Sequence, residues 1–524
     1  MSRRGGFVNF IFLKGSAFMK SKKFSVLCAV LALGLMFCGA AAAVPEDTIT
    51  VGMAADAKSL DPQMTNDTTS STYMIQMYEP LIEIGSDKKL VPCLAESWKQ
   101  LDDVTYEITL RKGVKFHNGA EVTADDAVFT LNRMTTPAAA AVKSYGANID
   151  ASGLKVIDRY TFQVKATSPM AGFLSYLSHT SAYILCKEAV ESAGDNYAKH
   201  PIGTGPFKFV EMLKGDHVSF ERFEDYWGTK PRYKKLLLRT IPEATSRVIE
   251  LETGNIDIAY GIPNNDFKRL QDEGKVAVYN KPGLAITYMG FNTQTPPFDN
   301  PKVRKAITIA IDREGALDVV YKGLGRVPTS PLIPVNNYFP DPVPVEYDPD
   351  KAEKMLKEAG VKNLEFTLYT NENKQRKDYA EVVQAMLGDL GITVKIQVLE
   401  WGTFLEQLKA GKLPVFMIGW AADNVNPDPD AYIKGAMHSK FAGPSNRVWL
   451  KDALVDELLD KGTVTPDGPE RAEIYRKFCD RVNELNPWCY LAIADTLYGT
   501  NKKLKGAENF NRGTINRLDG VYYE

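Results

Sequence analysis

Two short segments carry the residues best suited to grip a polar small molecule. One is Asn371-Glu372-Asn373-Lys374-Gln375-Arg376-Lys377, with three cations running into an apolar-periodic stretch. The other is Trp420-Ala421-Ala422-Asp423-Asn424-Val425-Asn426-Pro427, which sets a carboxylate near a large aromatic. Cations beside a helix start favour an anion such as a carboxylate. Asp423 favours an ammonium. A molecule with an ammonium at one end and a carboxylate at the other would satisfy both segments. The same residues also read as a solvated basic loop and a turn capped by Asp423, and position alone does not choose between the two.

Machinery for bond making is not legible. The chain contains no G-x-S-x-G, H-E-x-x-H or Walker A pattern. Gly203-Thr204-Gly205-Pro206-Phe207 contains G-x-G, but Lys208 stands where a phosphate cradle needs another glycine, so it reads as a turn. His117, in Phe116-His117-Asn118-Gly119, reads as a structural histidine in a hairpin turn, because no nucleophile or carboxylate motif accompanies it. Asp125 and Asp126 are explained by the capping box Thr123-Ala124-Asp125-Asp126. Five scattered histidines make no metal site. Cys93, Cys186, Cys479 and Cys489 include no C-x-x-C pair. Cys479 shares a predicted helix face with Tyr475, Phe478 and Val482, as a buried thiol would. A Cys479–Cys489 disulfide is the alternative that an exported protein permits. No catalytic residue, metal ligand or cofactor is expected.

The elements that must position the two segments follow from hydrophobic periodicity. Asp348-Pro349 opens a helix with Ala352, Met355, Leu356 and Ala359 on one face, and Gly360 stops it. Strands are predicted over 364–370, 392–398 and 414–420, with helices over about 377–390 and 402–410 between them. Such alternation implies a parallel sheet, in which ligands bind outside the carboxyl ends of the strands. Both candidate segments sit at such ends. Residues 103–165 differ: Tyr106, Ile108 and Leu110 alternate, as do Tyr160, Phe162 and Val164, around the short capped helix. An opening strand is expected over 49–55. Pro282-Gly283 and Asn486-Pro487 are plausible crossing points between two lobes.

Composition agrees with a large globular protein. The chain has 524 residues, 24% charged and 44% hydrophobic, enough for more than one core. A net charge of −2 leaves no basic stripe for nucleic acid. The one long uncharged apolar stretch follows Lys20-Ser21-Lys22-Lys23 and ends in Gly39-Ala40-Ala41-Ala42-Ala43, the pattern of a cleaved export signal over residues 1–43 with Met19 as its natural start. Cleavage after Ala43 would remove six basic and no acidic residues, taking the net charge to −8. That suits a protein released outside the inner membrane.

A series of motifs then stands in order along the chain: Tyr78-Glu79-Pro80-Leu81, Leu90-Val91-Pro92-Cys93-Leu94-Ala95-Glu96-Ser97-Trp98, the segment 110–119, Thr123 to Asp126, Gly203 to Phe207, Asp225-Tyr226-Trp227-Gly228, Val303-Arg304-Lys305-Ala306 and Ala310-Ile311-Asp312. The series resembles the bacterial extracellular solute-binding proteins of family 5, the dipeptide- and oligopeptide-binding receptors of ABC transporters, over essentially the whole chain after the signal. The resemblance implies an α/β, two-lobed periplasmic-binding-protein type II fold, with an extra subdomain in lobe I and a ligand cleft between the lobes. Lobe I would take 44–284 and 490–524, with the sheet-rich subdomain at about 82–200, and lobe II would take 285–489.

The resemblance also implies roles. Asp423 matches the aspartate that holds a peptide α-ammonium. Trp420 and Trp401 resemble pocket-wall aromatics. Asn66, Asp67 and Thr68 match the edge that pairs with the peptide backbone. Arg376 and Lys377 both compete for the arginine that holds the ligand carboxylate in dipeptide receptors. The implied partners are a small peptide and a membrane permease driven by two cytoplasmic ATPase subunits. The implied state is a periplasmic monomer with no cofactor, no nucleic acid and no enzyme activity. Some family members carry glutathione, opines, nickel, haem or oligosaccharides instead, and Asp423 favours a cargo that bears an amine. A secreted hydrolase using the same cleft is the reading from another class, and the missing motifs tell against it.

Overall fold

The structure, a computed structural model, describes residues 47–422, 426–511, 513 and 515–524. The expected signal segment lies outside the described residues. Two large sheets organise the rest. The first has seven strands in the order Val276–Lys281, Thr496–Asn501, Ile258–Tyr260, Thr48–Met53, Lys235–Thr240, His217–Arg222 and Phe207–Leu213. Its opening strand, Thr48–Met53, runs parallel to Lys235–Thr240 and Ile258–Tyr260, and the outer pairings are antiparallel. Ile49, Val51 and Met53 fill one core with Phe207, Phe220, Leu236 and Leu238.

The second sheet has six strands in the order Gly325–Arg326, Trp488–Ala494, Ala285–Phe291, Val415–Ala421, Glu365–Asn371 and Thr393–Leu399. The three strands expected to be parallel are so: Glu365–Asn371 pairs in parallel with both Thr393–Leu399 and Val415–Ala421. The sheet as a whole is mixed, because Ala285–Phe291 inserts antiparallel between Val415–Ala421 and Trp488–Ala494. Its two faces build separate cores, one around Met289, Leu368, Tyr379 and Met417 and one around Tyr288, Phe416, Ile433 and Tyr475.

The chain passes from the first sheet to the second between Lys281 and Ala285. The return lies later than expected. Strand Trp488–Ala494 belongs wholly to the second sheet, so the return is at Asp495 rather than after residue 489. The two crossings run side by side. A Cβ on Gly283 would lie 2.0 Å from the Ala494 carbonyl oxygen, so only glycine allows that approach. Asn280 Nδ2 donates to Asp495 Oδ2 at 2.8 Å, tying one crossing to the other.

The sheet-rich subdomain is a four-stranded antiparallel sheet of Ala95–Gln100, Thr105–Leu110, Thr161–Lys165 and Lys155–Val156, covered by the helix Ala124–Met134 with its predicted capping box. Three of the sequence motifs meet beneath it. Glu79 is fully buried and accepts hydrogen bonds from Thr204 Oγ1, Tyr226 OH and Trp227 Nε1, each at 2.8 Å, with Arg517 beside it. Burial pushes the Glu79 carboxyl up, and Arg517 opposes that. His117 is structural: its Nδ1 accepts from Gly203 N and its Nε2 meets Gly205 O at 3.0 Å, holding the glycine turn. Burial lowers the His117 pKa to about 4.

Cys479 and Cys489 are free, buried thiols, not a disulfide. They point into the two separate cores of the second sheet, because Cys489 alternates with Trp488 and Tyr490 along its strand. Among the described residues no helix is long and apolar enough to cross a membrane.

Candidate functional site

A cavity of about 520 Å³ lies between the subdomain and the helical flank of the second sheet. That is ample for a small peptide-sized ligand. Tyr145, Asn148, Met170 and Tyr176 line it from the subdomain. Ala422, Asn426, Asp430, Tyr432, Lys434 and Phe441 line it from the other side. Tyr145 stacks on the buried ring of His179, with centroids 3.7 Å apart, which fixes one aromatic wall. Burial lowers the His179 pKa to about 3, so that ring is neutral at ordinary pH.

Strand Val415–Ala421 runs to Ala422 at the edge of this wall. Trp420 is half-buried, its Nε1 donates to the Tyr432 carbonyl oxygen at 2.8 Å, and Tyr432 OH donates back to the Trp420 carbonyl oxygen at 3.3 Å. Trp420 therefore buttresses two cavity-lining residues, Tyr432 and Gly435, from behind. Asp423 lies outside the described residues. Its flanking residues Ala422 and Asn426 both line the cavity. Asn426 is buried and its Nδ2 has no hydrogen-bond partner among the described residues.

The basic segment resolves into distinct parts. The helix runs Lys374–Asp389, three residues earlier than expected, because Asn373 caps it by accepting from Arg376 N at 3.0 Å. Arg376 and Lys377 therefore sit in its first turn rather than in a loop before it. Lys374 pairs with Asp378 on the solvent face at 2.6 Å. Arg376 is half-buried, donates from Nη1 to Asn371 Oδ1 at 2.9 Å, and forms no ion pair among the described residues. Its Nη2 would lie 2.9 Å from a Cβ on Gly419, so the glycine makes room for the guanidinium against the strand that carries Trp420. Burial lowers the Arg376 pKa, with the nearby Tyr321 and Tyr288 hydroxyls opposing it. Lys377 is half-buried and is also unpaired among the described residues, but Arg376 is the one that meets Gly419.

The other expected residues are not brought to this cavity. Trp401 opens the helix Trp401–Lys409 after the edge strand Thr393–Leu399, two strand positions from Val415–Ala421, and is 43% exposed. Asn66 and Thr68 are exposed, and Asp67 is the N-cap of the helix Thr68–Met74, not part of a strand edge. The Asp67 carboxylate is already occupied by Thr65 Oγ1, Ser70 N and Ser70 Oγ. These bonds hold its pKa low against the effect of burial. The aromatics that do line the cavity, Tyr145, Tyr176, Tyr432 and Phe441, carry no local motif that sequence reasoning could have used.

Polar contacts cross between the two sides. Lys88 Nζ donates to the carbonyl oxygens of Pro334 and Asn336 at 2.6 and 3.1 Å. Ala171 N donates to the Thr463 carbonyl oxygen at 2.8 Å. Below that contact, Arg471 holds Asp428 bidentately at 2.9 and 3.0 Å, with both side chains almost fully buried.

The chain as a whole is similar to known proteins. The family described as bacterial extracellular solute-binding proteins, family 5 Middle, matches residues 89–443. The dipeptide-binding protein of Escherichia coli (strain K12) is 30% identical, over 91% of this chain and 95% of its own length. The glutathione-binding protein GsiB of Pectobacterium atrosepticum is 29% identical, over 86% of this chain and 89% of its own. Among solved structures, the ABC transporter-associated periplasmic binding protein DppA from Helicobacter pylori, in complex with the peptide STSA, aligns with a TM-score of 0.76. It is 30% identical over 91% of this chain and 98% of that one.

Proposed function

This chain belongs to the bacterial extracellular solute-binding proteins of family 5, and from that premise we propose that it captures di- or oligopeptides by their free N-terminus and delivers them to an ABC importer. The observation that carries the reading is a convergence. Ala422 and Asn426, on either side of Asp423, line one cavity, and Arg376 packs on Gly419 of the strand leading into it. Asp423 takes the α-ammonium and Arg376 the carboxylate, while the aromatic walls tolerate varied side chains.

No covalent chemistry is involved. A ligand that touches both lobes stabilises the closed form by its differential contacts. Burying Asp423 is favourable only when an ammonium neutralises it, which selects a free N-terminus. The closed protein then docks on a membrane permease served by cytoplasmic ATPases. In this reading it acts as a monomer in the periplasm, after removal of residues 1–43. Glutathione satisfies the same two charges and adds a second carboxylate, for which the exposed Lys440 at the cavity wall provides a cation.

Calorimetry of short peptides with free and N-acetylated termini tests the reading. Free peptides bind and acetylated ones bind poorly. Equal affinity for both removes the ammonium clamp.

A further inference from the structure

The contact at Gly172 joins two different cores. Gly172 precedes the helix Phe173–Tyr176, whose Phe173 and Leu174 are buried with the subdomain sheet. Asp428 caps the helix Pro429–Met437, and Arg471 lies in the helix Pro469–Leu485. The apolar residues of those helices are buried with Tyr288 and Phe416 of the second sheet. A Cβ on Gly172 would lie 2.3 Å from Asp428 Oδ2 and 2.6 Å from Asp428 Cγ. Neighbouring Ala171 N donates across the same seam to the Thr463 carbonyl oxygen.

Asp428 cannot swing aside. Arg471 holds both of its oxygens, and Oδ1 also accepts from Asp430 N at 2.9 Å. Arg471 is itself anchored by the Gly462 carbonyl oxygen at 2.8 Å and by Asp467 at 2.9 Å. The wall is therefore satisfied within its own lobe, so separating the lobes leaves no buried charge unpaired. At Gly172 itself, what crosses among the described residues is one backbone hydrogen bond and the close approach of an α-carbon, a weak and reversible contact, with the Lys88 bonds bridging the two sides elsewhere. Gly172, Asp428 and Arg471 do not line the cavity, whereas Met170, Asp430 and Thr463 beside them do.

We propose that Gly172, seated on the Asp428–Arg471 pair, is the catch of the closed form: a positioning residue that sets the closed fraction, and through it the affinity for every cargo, without touching cargo. This rests on the peptide-binding reading only in that cargo binds the closed form. A closed state that is less populated lowers the apparent affinity by the same factor for all ligands.

The test is Gly172→Ala. Its Cβ must displace the lobe, so affinity should fall roughly 10- to 100-fold, by one common factor across peptides of different side chains. X-ray scattering of the peptide-saturated variant should show a larger radius of gyration than wild type. Wild-type affinity in a folded variant overturns the proposal, and so does a loss that changes from peptide to peptide.

A second variant guards against misfolding. Ala171→Cys with Thr463→Cys places a cysteine pair on a direct backbone contact, and the four described cysteines are buried. Once oxidised, it should be compact by scattering and should exchange ligand at least tenfold more slowly than its own reduced form. Exchange at the same rate in the oxidised and reduced forms overturns the proposal. If no peptide binds the wild type, the peptide reading fails, while scattering of the two variants still decides the catch.

Discussion

Replacing Arg376 with methionine should remove the carboxylate clamp while keeping most of the apolar stem. The guanidinium is half-buried, and its one hydrogen bond among the described residues goes to Asn371 Oδ1, so most of its five donors remain for a ligand. Truncating one partner of a buried, hydrogen-bonded charge pair costs about 2–5 kcal/mol. Partial exposure places this site at the lower end, about 2–3 kcal/mol, or roughly 30- to 150-fold in affinity. Titration calorimetry should pair Arg376→Met with a peptide that carries a C-terminal amide. In wild type, amidation should cost the same factor as the mutation. In the variant it should cost little, giving a coupling of about 2 kcal/mol in the double-mutant cycle. Arg376→Lys should recover only part of the loss, because an ammonium lacks the fork. If amidation costs as much in the variant as in wild type, the carboxylate is held elsewhere and the reasoning from Gly419 fails.

The remaining expectations concern the ammonium clamp, the motif cluster and pH. Asp423→Ala should weaken peptide binding by about 3–5 kcal/mol, read by calorimetry; unchanged affinity removes Asp423 from the site. Glu79→Gln should destabilise the fold by about 3 kcal/mol in urea unfolding, because Arg517 loses one of three carboxylates and the buried triad of donors loses its acceptor charge. His117 and His179 are held neutral by burial, with pKa values near 4 and 3 against an ordinary value of 6.5. Their stabilisation is complete above about pH 6.5 and is lost as pH falls through that value towards the folded pKa, by up to roughly 2 kcal/mol each between pH 7 and 5. Urea midpoints at the two pH values should therefore differ less in a His117→Gln, His179→Asn double variant. An unchanged difference would assign the acid sensitivity to other groups.

Local rules made much of the second lobe legible. Asp348-Pro349, Gly360 and the alternation of Val394, Ile396 and Val398 mark elements whose ends the structure reproduces within a few residues. The helix over 374–389 began early because the Asn373 cap outweighs the polar run after it, which periodicity alone does not see. The family likeness was also readable from the chain, since it rests on residue type and order. The site was readable only in part. Arg376 and Gly419 are 43 positions apart, and Asp428 and Arg471 likewise. Tyr145, Tyr176 and Thr463 reach the cavity from elements with no shared pattern. Which side chains meet there depends on how strand Ala285–Phe291 inserts antiparallel between its neighbours and on how two cores abut at Gly172. Those are pairings between distant segments, set by the burial of whole faces at once, and no local window of residues encodes them.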